Sequence, residues 1–147
     1  MEVTVMFMGE MQNTIDDKNR MIVPVKFRAG LGDQFVITRG LDDCLFVYPH
    51  DQWERIVSKV RAMDPMQANV RYFQRYFISG AADSELDKQG RVLVPVHLRE
   101  HAKLEKECVV VGVGDRIEVW SKSVWDSYFH TNLPAVNEIA EQLAGLL

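Results

Sequence analysis

The chain has 147 residues, with 17 Lys and Arg against 21 Asp and Glu and a net charge of −4. That length suits one compact unit and excludes two large independent cores. No apolar run approaches the roughly 18 residues of a membrane span, and the first residues lack a signal peptide's basic-then-apolar layout, so a cytoplasmic location is expected. The acidic sum does not exclude nucleic acid, because it can hide a segregated basic face.

Residues 6–15 read as a strand ending at the turn Asp16-Asp17-Lys18-Asn19-Arg20. The strand Met21–Val23 follows and stops at Pro24, which cannot donate to a ladder and suits the first position of a short helix, Val25–Arg28. A hairpin Gln34–Thr38/Cys44–Tyr48 comes next, joined by a loop rich in Gly and Asp. Asp51-Gln-Trp-Glu54 is a helix-start signal, and Trp53, Ile56, Val57 and Val60 then keep the spacing of a buried helical face. Met66–Phe77 is a second long helical candidate, and its run Tyr72, Phe73, Tyr76, Phe77 suits a core or a subunit interface. Arg55, Lys59, Arg61, Arg71 and Arg75 read as a solvated helix surface that could also extend a binding face.

The series then recurs. A shift of 71 superposes Asp16 on Asp87, Arg20 on Arg91, Pro24 on Pro95 and Arg28 on Arg99, and at a shift of 72 Asp43 meets Asp115 and Trp53 meets Trp125. The second copy therefore predicts a strand over 76–86, the turn Asp87-Lys88-Gln89-Gly90-Arg91, the strand Val92–Val94, a helix Val96–Ala102, the hairpin Glu107–Val111/Arg116–Trp120 and a helix start at Ser123-Val-Trp-Asp126. From Pro134 the tail places Val136, Ile139, Ala140, Leu143 and Leu147 on one helical stripe, which either covers the core or docks on a neighbouring subunit. The predicted division is a first repeat over 10–52, a helical bridge over 53–80, a second repeat over 81–124 and a helical tail over 125–147. Each repeat is too small to fold alone without a disulfide or metal. Cys44 and Cys108 read as reduced core thiols, Cys108 aligning with Val36, so the halves are expected to fold together.

An internal repeat makes a pseudo-dimer in one chain, which suits a surface presented twice more readily than a catalytic cleft. Its most specific element is Asp-x-x-x-Arg, at Asp16/Arg20 and Asp87/Arg91. The carboxylate can brace the guanidinium across the turn, and the guanidinium offers a planar fork for phosphate or for guanine O6 and N7. Asn19 and Gly90 share the slot that calls for a positive φ. More cations surround the turns: Lys18, Lys26 and Arg28 in the first copy, and Lys88, His97 and Arg99 in the second. The same spacing also fits a purely structural turn held by a local ion pair. Other chemistries find no support. Gly112-Val113-Gly114 lacks the third glycine and the helix of a dinucleotide fingerprint, since Ile117 stands there and a strand follows. His97 and His101 have no partner ligands, so no metal or cofactor is expected. Nor does a nucleophile motif point to an enzyme or a small-molecule substrate.

Met6-Phe7-Met8-Gly9-Glu10, both Asp-x-x-x-Arg turns, Phe77-Ile78-Ser79-Gly80-Ala81 and Leu86-Asp87-Lys88-Gln89-Gly90-Arg91 resemble, in order and over almost the whole chain, the MraZ family of bacterial transcriptional regulators. The halves of that family are similar to the AbrB-type swapped-hairpin domain. The resemblance implies an α+β fold, a β-rich pseudo-dimeric swapped-hairpin (double-split) barrel from two internal repeats with flanking helices. It implies a ring-like homo-oligomer, nucleoid-associated, that binds double-stranded DNA at direct repeats in the promoter of its own division and cell-wall operon, usually as a repressor. It maps DNA binding onto Arg20 and Arg91, with Lys18 and Lys88 as phosphate contacts and Asp16 and Asp87 bracing the turns. Asn19 departs from the usual glycine. A protein-interaction scaffold, or an inhibitor of a neighbouring gene's product, is the alternative reading.

Overall fold

Eight strands and six α-helices follow one another across residues 6–146, the part of the chain that the computed structural model describes. The first repeat contributes β1 (Phe7–Thr14), β2 (Arg20–Ile22), α1 (Val25–Leu31), β3 (Gln34–Arg39) and β4 (Leu45–Pro49). Helices α2 (His50–Arg61) and α3 (Ala68–Ile78) bridge to β5 (Ala82–Glu85), β6 (Arg91–Leu93), α4 (Val96–His101), β7 (Glu107–Gly114) and β8 (Ile117–Ser121). Helices α5 (Lys122–Asn132) and α6 (Val136–Gln142) end the chain, with short 3-10 turns after each.

The repeats exchange strands. A six-stranded antiparallel sheet runs β1-β7-β8-β4-β3-β5, so the strand before each repeat pairs with the hairpin of the other. A separate ribbon joins β2 to β6. Met21 faces Val92 in that ribbon and Phe46 faces Glu118 between β4 and β8, each pair made of equivalent residues. A pseudo-two-fold axis therefore passes through both. The barrel expected from the resemblance does not close among the described residues: β1 and β5 are the two ends of the sheet and do not pair with each other.

Alternation along the central strands feeds two cores. Leu45, Val47, Ile117 and Val119 join Phe27, Leu98, Met21, Val92, Val23 and Val94 in a core between sheet, ribbon, α1 and α4. Phe46, Tyr48 and Trp120, one residue out of phase, join Val60, Phe77, Trp53 and Trp125 under α2, α3 and α5. Residues of both repeats make up each core, so neither half could bury its apolar surface alone.

Local details correct several expectations. Residues 76–78 end α3, and the strand predicted over 76–86 is only Ala82–Glu85, because Ser79 and Gly80 turn the chain after the helix, with Ala81 N–H donating to the Ile78 carbonyl. Pro24 and Pro95 stand just before α1 and α4 rather than inside them. The expected caps Asp51 and Ser123 lie inside helices that begin at His50 and Lys122, after Pro49 and Ser121, with no side-chain cap bond. Cys108 is the counterpart of Phe35, not Val36, since Cys108 opposes Asn13 and Ser121 as Phe35 opposes Ser84 and Pro49. Both cysteines are buried free thiols, and burial pushes the Cys44 thiol well up and Cys108 up to about 11. Phe77 is buried, Phe73 and Tyr76 are half-buried, and Tyr72 is exposed, so the aromatic run is core at all but one position. The tail does not cover a core: Val136, Ile139 and Leu143 are exposed, and Leu147 lies outside the described residues.

Candidate functional site

One aspartate organises each turn. Asp16 Oδ1 accepts from the backbone N–H groups of Lys18 and Arg20, both at 2.9 Å, and Arg20 Nε donates to Asp16 Oδ2 at 2.8 Å. The backbone closes the same loop, Asp16 N–H donating to the Arg20 carbonyl and Asn19 N–H to the Asp16 carbonyl. Asp87 repeats the pattern with the N–H groups of Gln89 and Arg91 at 2.9 Å and with Arg91 Nε at 2.8 Å. Donation from the Arg20 backbone, against a smaller opposing effect of desolvation, holds Asp16 below the ordinary carboxylate range, and Arg91 does the same to Asp87. Both aspartates are therefore charged at neutral pH. Among the described residues the Nη atoms of Arg20 and Arg91 have no hydrogen-bond partner, so the outer edge of each fork is free.

Positive φ is met differently in the two turns. Asn19 sits at φ 62 and Gly90 at φ 77. The Asn19 carbonyl accepts from Val94 N–H at 2.7 Å and the Gly90 carbonyl from Val23 N–H at 2.9 Å, which locks each turn to the other repeat's strand. Two arginines complete the lock. Arg28 Nε donates to the Val23 carbonyl at 2.9 Å, and its guanidinium fills the space a side chain on Gly90 would need. Its counterpart Arg99 donates to Asn19 Oδ1 and, through Nε, to the Leu104 carbonyl at 3.2 Å. Arg28 and Arg99, which sequence reading places among the loose cations around the turns, are structural braces.

The ribbon turns one face outward. Met21, Val23, Val92 and Val94 point into the core, leaving Arg20, Ile22, Arg91 and Leu93 outside. Arg20 lies opposite Leu93 and Ile22 opposite Arg91. Both turns thus reach the same surface, with two large aliphatics between their arginines. Ile22 is 45% and Leu93 61% exposed, and the next equivalent pair, Val25 and Val96, is 73% and 58% exposed. Sequence reading misses Ile22 and Leu93 because Met21-Ile22-Val23 and Val92-Leu93-Val94 are apolar throughout and hide the alternation; only their Asp-x-x-x-Arg neighbours signal a surface.

Lys18 and Lys88 are both exposed but not equivalent: Lys18 shares its slot with Gln89, and Lys88 stands where the first turn has Asp17. Arg55, Lys59, Arg61, Arg71 and Arg75 belong to helices packed on the other side of the sheet, so they do not adjoin the ribbon. His97 Nε2 meets the Gly80 carbonyl at 3.0 Å and His101 Nε2 the Tyr76 hydroxyl at 3.2 Å, two contacts within the fold. Among the described residues no three His, Cys, Asp or Glu gather to hold a metal, and no helix is long and apolar enough to cross a membrane. Gly112, the first glycine of the nucleotide-like segment, lets β1 approach: a Cβ there would stand 2.5 Å from Met8 N.

Two matched, braced arginines on one exposed ribbon make a surface that the chain presents twice. Comparison with known proteins gives it a family. The model of the MraZ protein family matches residues 6–76 and again residues 77–144. The chain is 51% identical to the transcriptional regulator MraZ of Heliobacterium modesticaldum over 94% of its length and 96% of the relative's. It is also 51% identical to that of Desulforamulus reducens over 97% of the chain and the whole relative, and 49% identical to that of Carboxydothermus hydrogenoformans over 97% and 99%. The chain belongs to the MraZ family of transcriptional regulators, which are not enzymes.

Proposed function

We propose that the β2–β6 ribbon is a sequence-specific DNA-binding surface, with Arg20 and Arg91 reading bases and Lys18 and Lys88 contacting phosphates. The supporting observation is the common outward face of two aspartate-braced arginines whose Nη atoms are unengaged. A two-stranded ribbon fits the width of the DNA major groove, and a braced fork matches guanine O6 and N7. Bracing matters because a preorganised guanidinium loses less rotamer freedom on binding than a free one. The sheet and the ribbon act as two walls of a barrel-like unit around the first core, so both turns are held at a fixed spacing. The segments 10–52 and 81–124 serve as the paired recognition repeats, 53–80 as the bridge and 125–147 as an assembly tail.

One unit with few cations binds DNA weakly and loses affinity with salt. A ring-like homo-oligomer overcomes this, because tandem boxes matched to subunit spacing raise the effective concentration of the second contact. The exposed stripe Val136, Ile139 and Leu143 supports contact between copies. The natural target is a set of direct repeats upstream of the protein's own division and cell-wall operon, with repression as the outcome, in the cytoplasm at the nucleoid. Gel-shift titration of the upstream fragment against a shuffled control, at two salt concentrations, tests the reading. Arg20→Ala and Arg91→Ala should each weaken native binding by about 1–3 kcal/mol, roughly 5- to 150-fold, while size-exclusion profiles stay unchanged. Unaltered affinity in both variants removes the turns from the DNA surface. Salt-insensitive behaviour without DNA binding favours the scaffold or inhibitor role.

A further inference from the structure

We infer that Ile22 and Leu93 read thymine, packing against its C5-methyl group in the major groove between the bases contacted by Arg20 and Arg91. The inference rests on the DNA-binding reading above and adds a second kind of base contact to it. Isolated exposed aliphatics need no explanation on a protein surface. These four do, because Ile22 with Leu93, and Val25 with Val96, are equivalent pairs about the pseudo-two-fold axis and all four are exposed. Two independent positions on each repeat keep a branched apolar side chain facing water.

The setting narrows the occupant. The patch lies on the ribbon between Arg20 and Arg91, with the turns bearing Lys18 and Lys88 at its ends. An apolar patch bounded by cations complements a surface that is apolar in the middle and anionic at its margins. The floor of a major groove, with thymine methyls between two phosphate walls, has that character. Spacing agrees as well. Arg20 and Ile22 are two residues apart on one strand, a step of about 6.8 Å, close to the rise of two base pairs. An arginine at a guanine and an aliphatic at a thymine two steps away therefore fit one strand of the ribbon, and the partner strand repeats the pair in the opposite direction.

Deoxyuridine differs from thymidine only by that methyl, which gives a direct test. Fluorescence anisotropy would measure wild-type protein and the Ile22→Ala/Leu93→Ala double variant on the native upstream fragment and on the same fragment with deoxyuridine for thymidine. Wild type should lose on the order of fivefold in Kd on the deoxyuridine DNA, from the methyl surface no longer buried. The double variant should bind native DNA with a similar loss and show almost no further loss with deoxyuridine, since the two changes remove one contact. Losses that multiply, or a wild type indifferent to deoxyuridine while still preferring native over shuffled DNA, overturn the methyl contact and leave the DNA-binding reading standing. A wild type that prefers neither fragment overturns both. A double variant that binds both DNAs as wild type does but changes its oligomeric mass assigns the patch to contact between copies and overturns the inference. Thermal melting of the variant checks that its fold is intact, as expected for two exposed side chains.

Discussion

The two turns share a skeleton and differ in three side chains. Aspartate first, arginine fifth and a positive φ fourth are common to both, and so is every bracing bond from Asp16 and Asp87. Between those fixed points Asp17 faces Lys88, Lys18 faces Gln89 and Asn19 faces Gly90 across the repeat. Residues 16–20 set two aspartates against Lys18 and Arg20 and sum to zero, whereas residues 87–91 set Asp87 against Lys88 and Arg91, a net of +1. Backbone geometry and local charge are thus specified by different residues. The second turn is the more cationic, although both present their arginine in the same way.

The largest effect should come from the slot where Asn and Gly differ. Gly90→Ala combines a side chain at φ 77 with a collision against the Arg28 guanidinium, which its bond to Val23 keeps in place. A loss of about 1–3 kcal/mol is expected from urea unfolding. Asn19→Gly should stay within about 1 kcal/mol of wild type, because relief of the left-handed backbone offsets the lost bond from Arg99. Equal costs at both positions would show that the cross-repeat locks are energetically alike.

Exchanging charge tests the next difference. Lys88→Asp should weaken upstream-DNA binding about tenfold at physiological salt and flatten its salt dependence, and Asp17→Lys should strengthen it by a few-fold. Filter binding across a salt series reads both. If Asp17→Lys has no effect, phosphate contact is confined to the second turn.

Acid should act on the two turns together, and most gently. Asp16 and Asp87 have depressed folded-state pKa values, so their contribution is fully present above the ordinary aspartate value of 3.8 and is lost as pH falls through their lower folded values. Melting temperature should therefore fall below about pH 4 more steeply in wild type than in an Asp16→Asn/Asp87→Asn variant. Identical slopes would indicate that the backbone bonds alone hold the turns.

Much of the site is legible in the chain because its determinants are local. Asp-x-x-x-Arg spans five residues, and the carboxylate meets the two N–H groups and Nε within one turn, so spacing alone predicts the brace. Asn19 and Gly90 are likewise readable from their backbone tolerance. The aliphatic face of the ribbon is not, because β2 and β6 are three residues each and wholly apolar apart from the arginine. Which of Met21 and Ile22 points inward depends on the core opposite. The lock by Arg28 and Arg99 is equally invisible, since each arginine acts on the other repeat's turn.

The sequence by itself determined the duplication, the braced turns, the positive-φ slots and the order of elements after each turn, all of which rest on periodicity and on contacts a few residues long. Only the tertiary structure decided that β1 pairs with β7 and β5 with β3, that Cys108 takes the place of Phe35, and that the ladder stays open at β1 and β5. The physical reason is the repeat itself. Two similar strands offer each hairpin two nearly equivalent partners, one from its own repeat and one from the other. Local pattern cannot choose between them; the connections and the shared cores do.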